Sequence, residues 1–259
     1  MSDIKIAFFD IDGTLIDMSK QYPSENTKRA LMKLKEKNIL ICLATGRSPM
    51  TLPRLDGICV DAMLTYNGSY CFEAQHILFS NPIPQNDVKT IIKNASLISR
   101  PVMIATKNKM VANGKDADLV EYTAFAGREV VVSKDFEKII ENENIYQVML
   151  GCRAEDYGRL MKNVQNAKIT AWWNRAVDII PLSSGKGLGI RKVLEYYHLD
   201  SSEAIAFGDG NNDMDMLRAV GVGIAMGNAS EELKQMADGV CSSAAEDGIY
   251  HYCVENGLI

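Results

Sequence analysis

Two aspartates, Asp10 and Asp12, stand directly after an apolar run that ends at Phe9. The run is typical of a buried strand, and two like charges at its end cost desolvation and repel each other. A cation between them, most simply a metal ion, would remove that cost. The other interpretation is an acidic turn, because Asp12-Gly13 is a common turn pair. These residues alone do not distinguish a metal site from a turn.

Three more polar groups lie where a predicted strand ends or a predicted helix begins. They are Thr45-Gly46-Arg47, Lys186, and the loop from Asp209 to Asp213 that includes Asn212. Ligands of open parallel sheets bind beyond the carboxyl ends of the strands, so we expect these groups to converge with Asp10 and Asp12. Such a set suits Mg²⁺ and a phosphate group. Each group alone also has an ordinary explanation: a solvated lysine, a threonine–glycine strand end, or a polar turn that caps a helix.

Three other ligand-binding motifs fail on spacing. An EF-hand loop that began at Asp209 would need glycine at its sixth place, where Met214 stands. A phosphate-binding P-loop ending at Lys186 would need glycine in place of Ile180. The run 221–223 lacks the third glycine of a dinucleotide-binding fingerprint.

Strands and helices alternate at both ends of the chain, which is typical of a parallel sheet covered on both faces. The apolar patterns predict strands at 4–9, 39–44, 58–65, 204–207, 223–226 and around 240. They predict helices at 24–37, from after Arg47 towards Leu55, and at 186–197, 213–219, 230–237 and 246–255. Ser24 is the expected N-cap of the first of these helices.

The middle of the chain has a different pattern, which begins at the proline-containing linker 81–84. Helices are predicted at 85–98, 116–124, 135–142 and 154–166. Strands are predicted at 101–105, 109–113, 128–132, 145–150, 168–173 and 176–180. Because the hairpins return without a helix, we predict that residues 82–180 form a second α/β domain. It would be inserted into a core domain made of residues 1–81 and 181–259.

The composition is that of an ordinary globular protein, with 259 residues, 47% of them hydrophobic, and a net charge of −5. The negative charge argues against nucleic acid or an anionic membrane as partner. The six scattered cysteines are typical of free thiols in a reducing compartment. The sequence shows neither a signal peptide nor a long apolar run, so we expect a cytoplasmic protein.

The four polar groups together resemble the motifs of haloacid dehalogenase superfamily phosphatases of the Cof type. The residues that carry the likeness are Asp10-Ile11-Asp12-Gly13-Thr14, Thr45-Gly46-Arg47, Lys186 and Gly208-Asp209-Gly210-Asn211-Asn212-Asp213. That branch has a Rossmann-like parallel-sheet core and an inserted class IIB cap domain, ordered αββ(αβαβ)αββ. The order of elements predicted for residues 85–180 is the same, so the likeness covers the whole chain.

The resemblance also implies roles for several of the motif residues. Asp10 would be the nucleophile that forms an aspartyl-phosphate, and Asp12 the general acid and then base. The implied Mg²⁺ ligands are Asp10, Asp12 through its backbone carbonyl, Asp209, and Asp213 directly or through water. The implied phosphate-binding residues are Thr45, Gly46, Arg47, Lys186 and Asn212. Arg47 could instead pair with a neighbouring acid.

We therefore expect a Mg²⁺-dependent phosphatase that acts on small phosphomonoesters, with sugar phosphates favoured, as a monomer or small homo-oligomer. The alternatives are a phosphosugar mutase or phosphotransferase, and a non-catalytic regulator that binds sugar phosphates. Residues 172–175, which include both tryptophans, lie at the turn between the last two cap strands. They could select the substrate, or the tryptophans could simply pack in the cap sheet.

Overall fold

The computed structural model describes residues 3–53, 55, 57–125 and 127–259, with Trp172 described by its backbone alone. The strands are β1 (Ile6–Phe9), β2 (Leu40–Ala44), β3 (Ala62–Thr65), β4 (Tyr70–Glu73), β5 (His76–Ser80), β6 (Met103–Ala105), β7 (Met110–Ala112), β8 (Gln147–Gly151), β9 (Ala167–Trp173), β10 (Ala176–Pro181), β11 (Ala204–Gly208), β12 (Val222–Ala225) and β13 (Gly239–Val240). The helices are α1 (Glu25–Glu36), α2 (Gln85–Leu97), α3 (Ala117–Ala124), α4 (Phe136–Asn142), α5 (Tyr157–Leu160), α6 (Lys186–Tyr197), α7 (Met214–Leu217), α8 (Glu231–Met236) and α9 (Gly248–Glu255).

The chain divides into two compact units. The core unit comprises Met1–Arg47, Thr51–Ser80 and Gly185–Ile259, and the inserted unit comprises Ser48–Met50 and Asn81–Ser184. Among the helices of the described residues, none has the length and apolar character that a membrane crossing requires.

The core unit is built on a sheet whose described strands lie in the order β13-β12-β11-β1-β2-β3-β4-β5. The central strand β1 is parallel to both β11 and β2 and is buried along its whole length. Alternate residues of β1 point to opposite faces of the sheet. Ala7 and Phe9 belong to an apolar cluster with residues of α1 and α9. Ile6 and Phe8 belong to a second cluster with residues of α6, α7 and α8. Burial on both faces explains why the strand is continuously apolar. The predicted fold class, a parallel-sheet α/β core, is confirmed.

Several elements predicted outside residues 82–180 differ from those observed. The helix expected after Arg47 towards Leu55 is a single 3₁₀ turn, Pro49–Thr51. Pro53 explains why it stops, because a proline disfavours helical backbone in the residue before it. Arg54, within the predicted span, lies outside the described residues. The helix expected at 213–219 is a 3₁₀ turn, Asn211–Asp213, followed by the short α7. The hairpin β4–β5 was not predicted, and it adds two antiparallel strands to the sheet. The predicted N-cap is confirmed, since Ser24 accepts a hydrogen bond from the Thr27 amide at 3.0 Å.

The inserted unit contains an antiparallel sheet with described strands in the order β7-β6-β8-β10-β9. Helices α2, α4 and α5 cover one face of it around a third apolar cluster. The strand expected at 128–132 is reduced to one bridge between Val132 and Ala112, since Val131 and Val132 are more than half exposed and contribute little burial. The helix expected at 154–166 is shorter and ends before Asn163, which has φ 62°.

Candidate active site

Asp10 occupies the first position beyond the central strand of the core sheet. Its backbone N–H donates to the Phe207 carbonyl of β11 at 3.0 Å, which continues the pairing of β1 with β11 by one residue. The residue is only 6% exposed. The sheet therefore fixes the Asp10 main chain, and the surrounding side chains must compensate a buried carboxyl group.

Lys186, at the start of α6, provides that compensation. It is fully buried, and its Nζ lies 2.5 Å from Asp10 Oδ1 and 2.5 Å from Asp213 Oδ1. Burial lowers the pKa of Lys186, but the two carboxylates raise it by more, so the pKa lies above its usual value. Burial raises the pKa of Asp10 to about 8, against the opposing effect of Lys186. One ammonium group thus holds two buried carboxyl groups together.

Asp213 lies in the loop after β11, and the same loop carries a third carboxyl group, that of Asp209. Asp213 Oδ2 accepts hydrogen bonds from the amides of Asp209 and Gly210, each at 2.9 Å, and this fixes the loop. The Asp209 carboxylate accepts from the Thr14 hydroxyl at 2.9 Å and from the Asn228 amide at 3.3 Å. Burial raises the pKa of Asp209 to about 6, although the Thr14 hydrogen bond opposes the shift. The side chain of Asp209 is therefore oriented from two other segments of the chain.

A glycine between Asp12 and Thr14 is required by this packing. Gly13 has φ 84°, a left-handed conformation that residues other than glycine rarely adopt. A Cβ at this position would collide with the Asp209 carboxylate. The turn after β1 thus has to contain glycine for Asp10 and Asp209 to approach each other.

Asp10, Asp209 and Asp213 each offer a carboxylate oxygen within 4.8 Å of the others. Oxygen donors at this spacing suit a hard divalent cation. The charges fit as well, because Lys186 compensates only one of the three carboxylates when all are ionised and leaves two negative charges. The residues present therefore fit a Mg²⁺ site.

The Asp12 side chain pairs with Arg47 and not with the three clustered carboxylates. Its two carboxylate oxygens accept hydrogen bonds from Arg47 Nε at 2.8 Å and Arg47 Nη2 at 2.6 Å. The remaining guanidinium nitrogen of Arg47 donates to the Thr51 carbonyl at 2.9 Å. Of the two possibilities for Arg47, the structure shows the pairing with an acid. The Asp12 side chain is not part of the carboxylate cluster, so a metal contact from its backbone carbonyl stays a prediction.

Three of the predicted phosphate-binding residues, Thr45, Gly46 and Asn212, lie around Asn67, for which no role was predicted. The backbone N–H of Asn67 donates to the Thr45 carbonyl at 3.0 Å, and the side-chain oxygen of Asn67 accepts from Asn212 Nδ2 at 3.2 Å. A Cβ on Gly46 would lie 3.3 Å from the same side chain. Asn67 thus links the Thr45-Gly46 turn to Asn212. No role was predicted for Thr14, although it belongs to the first motif, and Asn228 was missed, although it follows a strand end.

Comparisons with known proteins agree with this geometry. The family profile described as haloacid dehalogenase-like hydrolase matches residues 7–253. YkrA of Bacillus subtilis (strain 168), provisionally named a phosphatase, is 32% identical over 258 residues, which are 99% of each chain. YitU of the same organism, named 5-amino-6-(5-phospho-D-ribitylamino)uracil phosphatase, is 25% identical over an alignment 262 positions long, gaps included, that covers 95% of each chain.

A solved structure extends the comparison to three dimensions. BT4131, described as a sugar phosphatase of haloacid dehalogenase subclass IIB, has a TM-score of 0.82 and 27% identity to this chain. The match covers 98% of this chain and 100% of that one. The chain therefore belongs to the haloacid dehalogenase-like hydrolase family, as a phosphatase of the superfamily's capped subclass IIB.

Proposed function

We propose that this phosphatase hydrolyses small phosphomonoesters, with sugar phosphates the favoured class, through an aspartyl-phosphate on Asp10 and with Mg²⁺ as cofactor. The observation that carries the proposal is the buried Asp10 carboxyl group, held by Lys186 beside two further carboxylates. Such a group is oriented by the fold before substrate arrives, which is what a nucleophile requires.

In the first step, Asp10 attacks phosphorus and the bond from phosphorus to the ester oxygen breaks. Asp12 gives its proton to the departing alkoxide. In the second step, Asp12 takes a proton from water, the water oxygen attacks phosphorus, and the bond to Asp10 breaks. Inorganic phosphate, the alcohol and both carboxyl groups are recovered.

The ion pair of Asp12 with Arg47 bears on the first step. Arg47 donates to both oxygens of Asp12, so a proton on Asp12 requires this ion pair to open. We propose that the substrate phosphate takes over Arg47 and thereby frees Asp12 to act as an acid. Thr45, Gly46, Lys186 and Asn212 would hold the remaining phosphate oxygens.

Asp10, Asp209 and Asp213 would hold Mg²⁺, with the Asp12 carbonyl as a further oxygen. When bound there, a divalent cation would neutralise the excess negative charge and would stabilise charge on the transferring phosphoryl group. The neighbouring hydrogen bonds orient the carboxylates in advance.

Thr14→Val should weaken Mg²⁺ binding. Valine has nearly the same shape but removes the hydroxyl that donates to Asp209, so Asp209 loses part of its orientation. We expect the Mg²⁺ concentration for half-maximal activity to rise about tenfold, with kcat at saturating Mg²⁺ close to that of the wild type. Activity measured across a Mg²⁺ titration checks this.

Thr27→Val is the matched control, because Thr27 is also buried and hydrogen-bonded but lies on α1, away from the carboxylates. It should leave the Mg²⁺ dependence unchanged. Equal half-maximal concentrations for the two variants would contradict the role given to Thr14.

We propose that residues 82–180 form the domain that selects the leaving group. Within this unit, Asp178 lies opposite Thr170 and Met149 in the sheet, while its neighbour Ile179 enters the apolar cluster. Asp178 therefore lies on the other face, where the Tyr122 hydroxyl donates to it at 2.6 Å. Carboxylate and hydroxyl groups are suited to hydrogen-bond a polyhydroxylated leaving group.

Trp173 packs within the same unit. Its ring lies 6.3 Å from that of Tyr122 and 5.2 Å from that of Phe125, and the Arg175 guanidinium lies 4.8 Å from its centroid. For Trp173, these contacts favour packing within the unit over a role in selecting the substrate. The side chain of Trp172 lies outside what the structure describes.

Asp178→Asn should stabilise the protein above neutral pH. Burial raises the pKa of Asp178 to about 6 from its ordinary value of 3.8, so the folded chain binds this proton more tightly than the unfolded one. The free energy of unfolding of the wild-type protein therefore falls as the pH rises from about 4 to 6, because the buried carboxyl group must ionise. We expect the variant to be more stable by roughly 1–2 kcal/mol at pH 8, with the difference vanishing near pH 4.

Urea unfolding at several pH values measures this difference. Asparagine still offers an oxygen to Tyr122, so the hydrogen bond is retained. Asp135→Asn, at an exposed acid of the same unit, should show no comparable pH-dependent gain. A difference for Asp178→Asn that is the same at every pH would contradict the shifted pKa.

The function itself is tested by phosphate release from a panel of phosphomonoesters, with Mg²⁺ and with EDTA. The panel should include hexose and pentose phosphates, and a ribityl phosphate carrying an aminopyrimidine, since YitU and BT4131 are named for such different substrates. We expect sugar phosphates to be hydrolysed only with Mg²⁺. Transfer of labelled phosphate to a second sugar would indicate a mutase, and no turnover on any ester would indicate a binding protein.

A further inference from the structure

The helix that carries Lys186 begins without a side-chain cap of its own. Its N-cap residue is Gly185, which has no side chain to accept a hydrogen bond from the first-turn amides. Those amides have no partner inside the helix and need an acceptor from elsewhere.

Asp215 of α7 supplies an acceptor. Its Oδ2 accepts the Gly187 amide N–H at 3.0 Å. In the same short segment, Asp213 Oδ1 lies 2.5 Å from Lys186 Nζ. Two acids that are two residues apart thus hold Lys186 from both ends, one at its ammonium group and one at the main chain beside it.

The glycines on either side of Lys186 make this close approach possible. A Cβ on Gly185 would overlap the Asp215 carboxylate, and a Cβ on Gly187 would overlap the Asp215 backbone carbonyl. The backbone of Gly185 is extended, with φ 169°, a conformation that any residue can adopt. Glycine is required there because a side chain would occupy the space of the Asp215 carboxylate.

We infer that Asp215 is a positioning residue that fixes the start of α6 and thereby sets Lys186 against Asp10. The inference rests on the proposed function, because that function gives Lys186 its place in the reaction. A lysine side chain has four rotatable bonds, so its ammonium group is placed only as well as its main chain is anchored. Displacement of a reacting group by about 1 Å can cost about 100-fold in rate.

Steady-state kinetics on a phosphomonoester with saturating Mg²⁺ test this role. Asp215→Ala should lower kcat about tenfold and change KM by less than about threefold. Asp215→Asn retains an oxygen that can accept the Gly187 amide, so it should restore kcat to within about threefold of the wild type. Asp215→Asn as slow as Asp215→Ala would overturn the inference.

Asp238→Ala is the matched control, because Asp238 also accepts one backbone amide of the core unit, that of Gly223 at 2.8 Å. It should leave kcat unchanged in the folded protein. Folded fractions are compared by circular dichroism, so that loss of fold is separated from loss of rate. Equal kcat for Asp215→Ala and Asp238→Ala would also overturn the inference.

A second measurement needs no activity and therefore separates this inference from the proposed function. Gly185→Ala should lower Tm in the wild type but lower it less in the Asp215→Ala background, because the overlapping carboxylate is gone. Gly187→Ala should lower Tm equally in both backgrounds, because it overlaps the main chain of residue 215. An equal cost of Gly185→Ala in both backgrounds would show that Asp215 does not pack against the start of α6.

Discussion

Asp10→Asn should reduce kcat on phosphomonoesters by about 10⁴-fold or more, because the amide cannot form the aspartyl-phosphate. The wild-type enzyme, quenched in acid during turnover, should carry one phosphate on the peptide that contains Asp10. The variant should carry none. Quenched-flow phosphate release and peptide mass spectrometry measure both effects.

The variant should remain folded, which makes its loss of activity interpretable. Asparagine is nearly isosteric with aspartate, and Lys186 keeps its contact with Asp213 at 2.5 Å. Asp17→Asn is the control, because Asp17 is a partly exposed acid that follows the same strand and accepts hydrogen bonds from nearby Ser19. Activity of Asp10→Asn within tenfold of that of Asp17→Asn would rule out Asp10 as the nucleophile.

The convergence of the acids could be predicted because it depends on topology. Strands β1 and β11 are neighbours in the sheet, so residues beyond their carboxyl ends must meet, and the apolar runs identify both strands. The partner of Asp12 could not be predicted in the same way. Whether Arg47 contacts an acid or a phosphate depends on side-chain geometry, which strand order does not determine.

Some elements left no clear local signal in the sequence. The β4–β5 hairpin turns at Ala74, which has φ 48° without being glycine, so the usual turn residues do not mark it. The segment 128–132 has the composition of a strand, but Val131 and Val132 lie exposed beside β7. Asn67 and Asn228 reach the site only through long-range packing. In each case the outcome depends on partners distant in the sequence, which local patterns do not contain.

Lys186→Met should destabilise the metal-free protein by about 3–5 kcal/mol at pH 8 and remove nearly all activity. Methionine fills a similar volume but leaves the buried carboxyl groups of Asp10 and Asp213 without a positive partner. Lower pH should reduce the loss, because protonation removes the uncompensated charge. Urea unfolding of both proteins in EDTA, from pH 5 to pH 8, measures the free energy of unfolding.

Lys35→Met provides the comparison for this variant. Lys35 contacts both oxygens of Asp61 at 2.8 Å, but both side chains are partly exposed, so its loss should cost no more than about 1 kcal/mol. If the acids beside Lys186 form a cation site, Mg²⁺ should stabilise Lys186→Met more than it stabilises Lys35→Met, because the ion replaces part of the missing positive charge. Equal stability of the two variants in EDTA would show that Lys186 does not compensate these buried carboxyl groups, and the electrostatic basis of the proposed site would then fail.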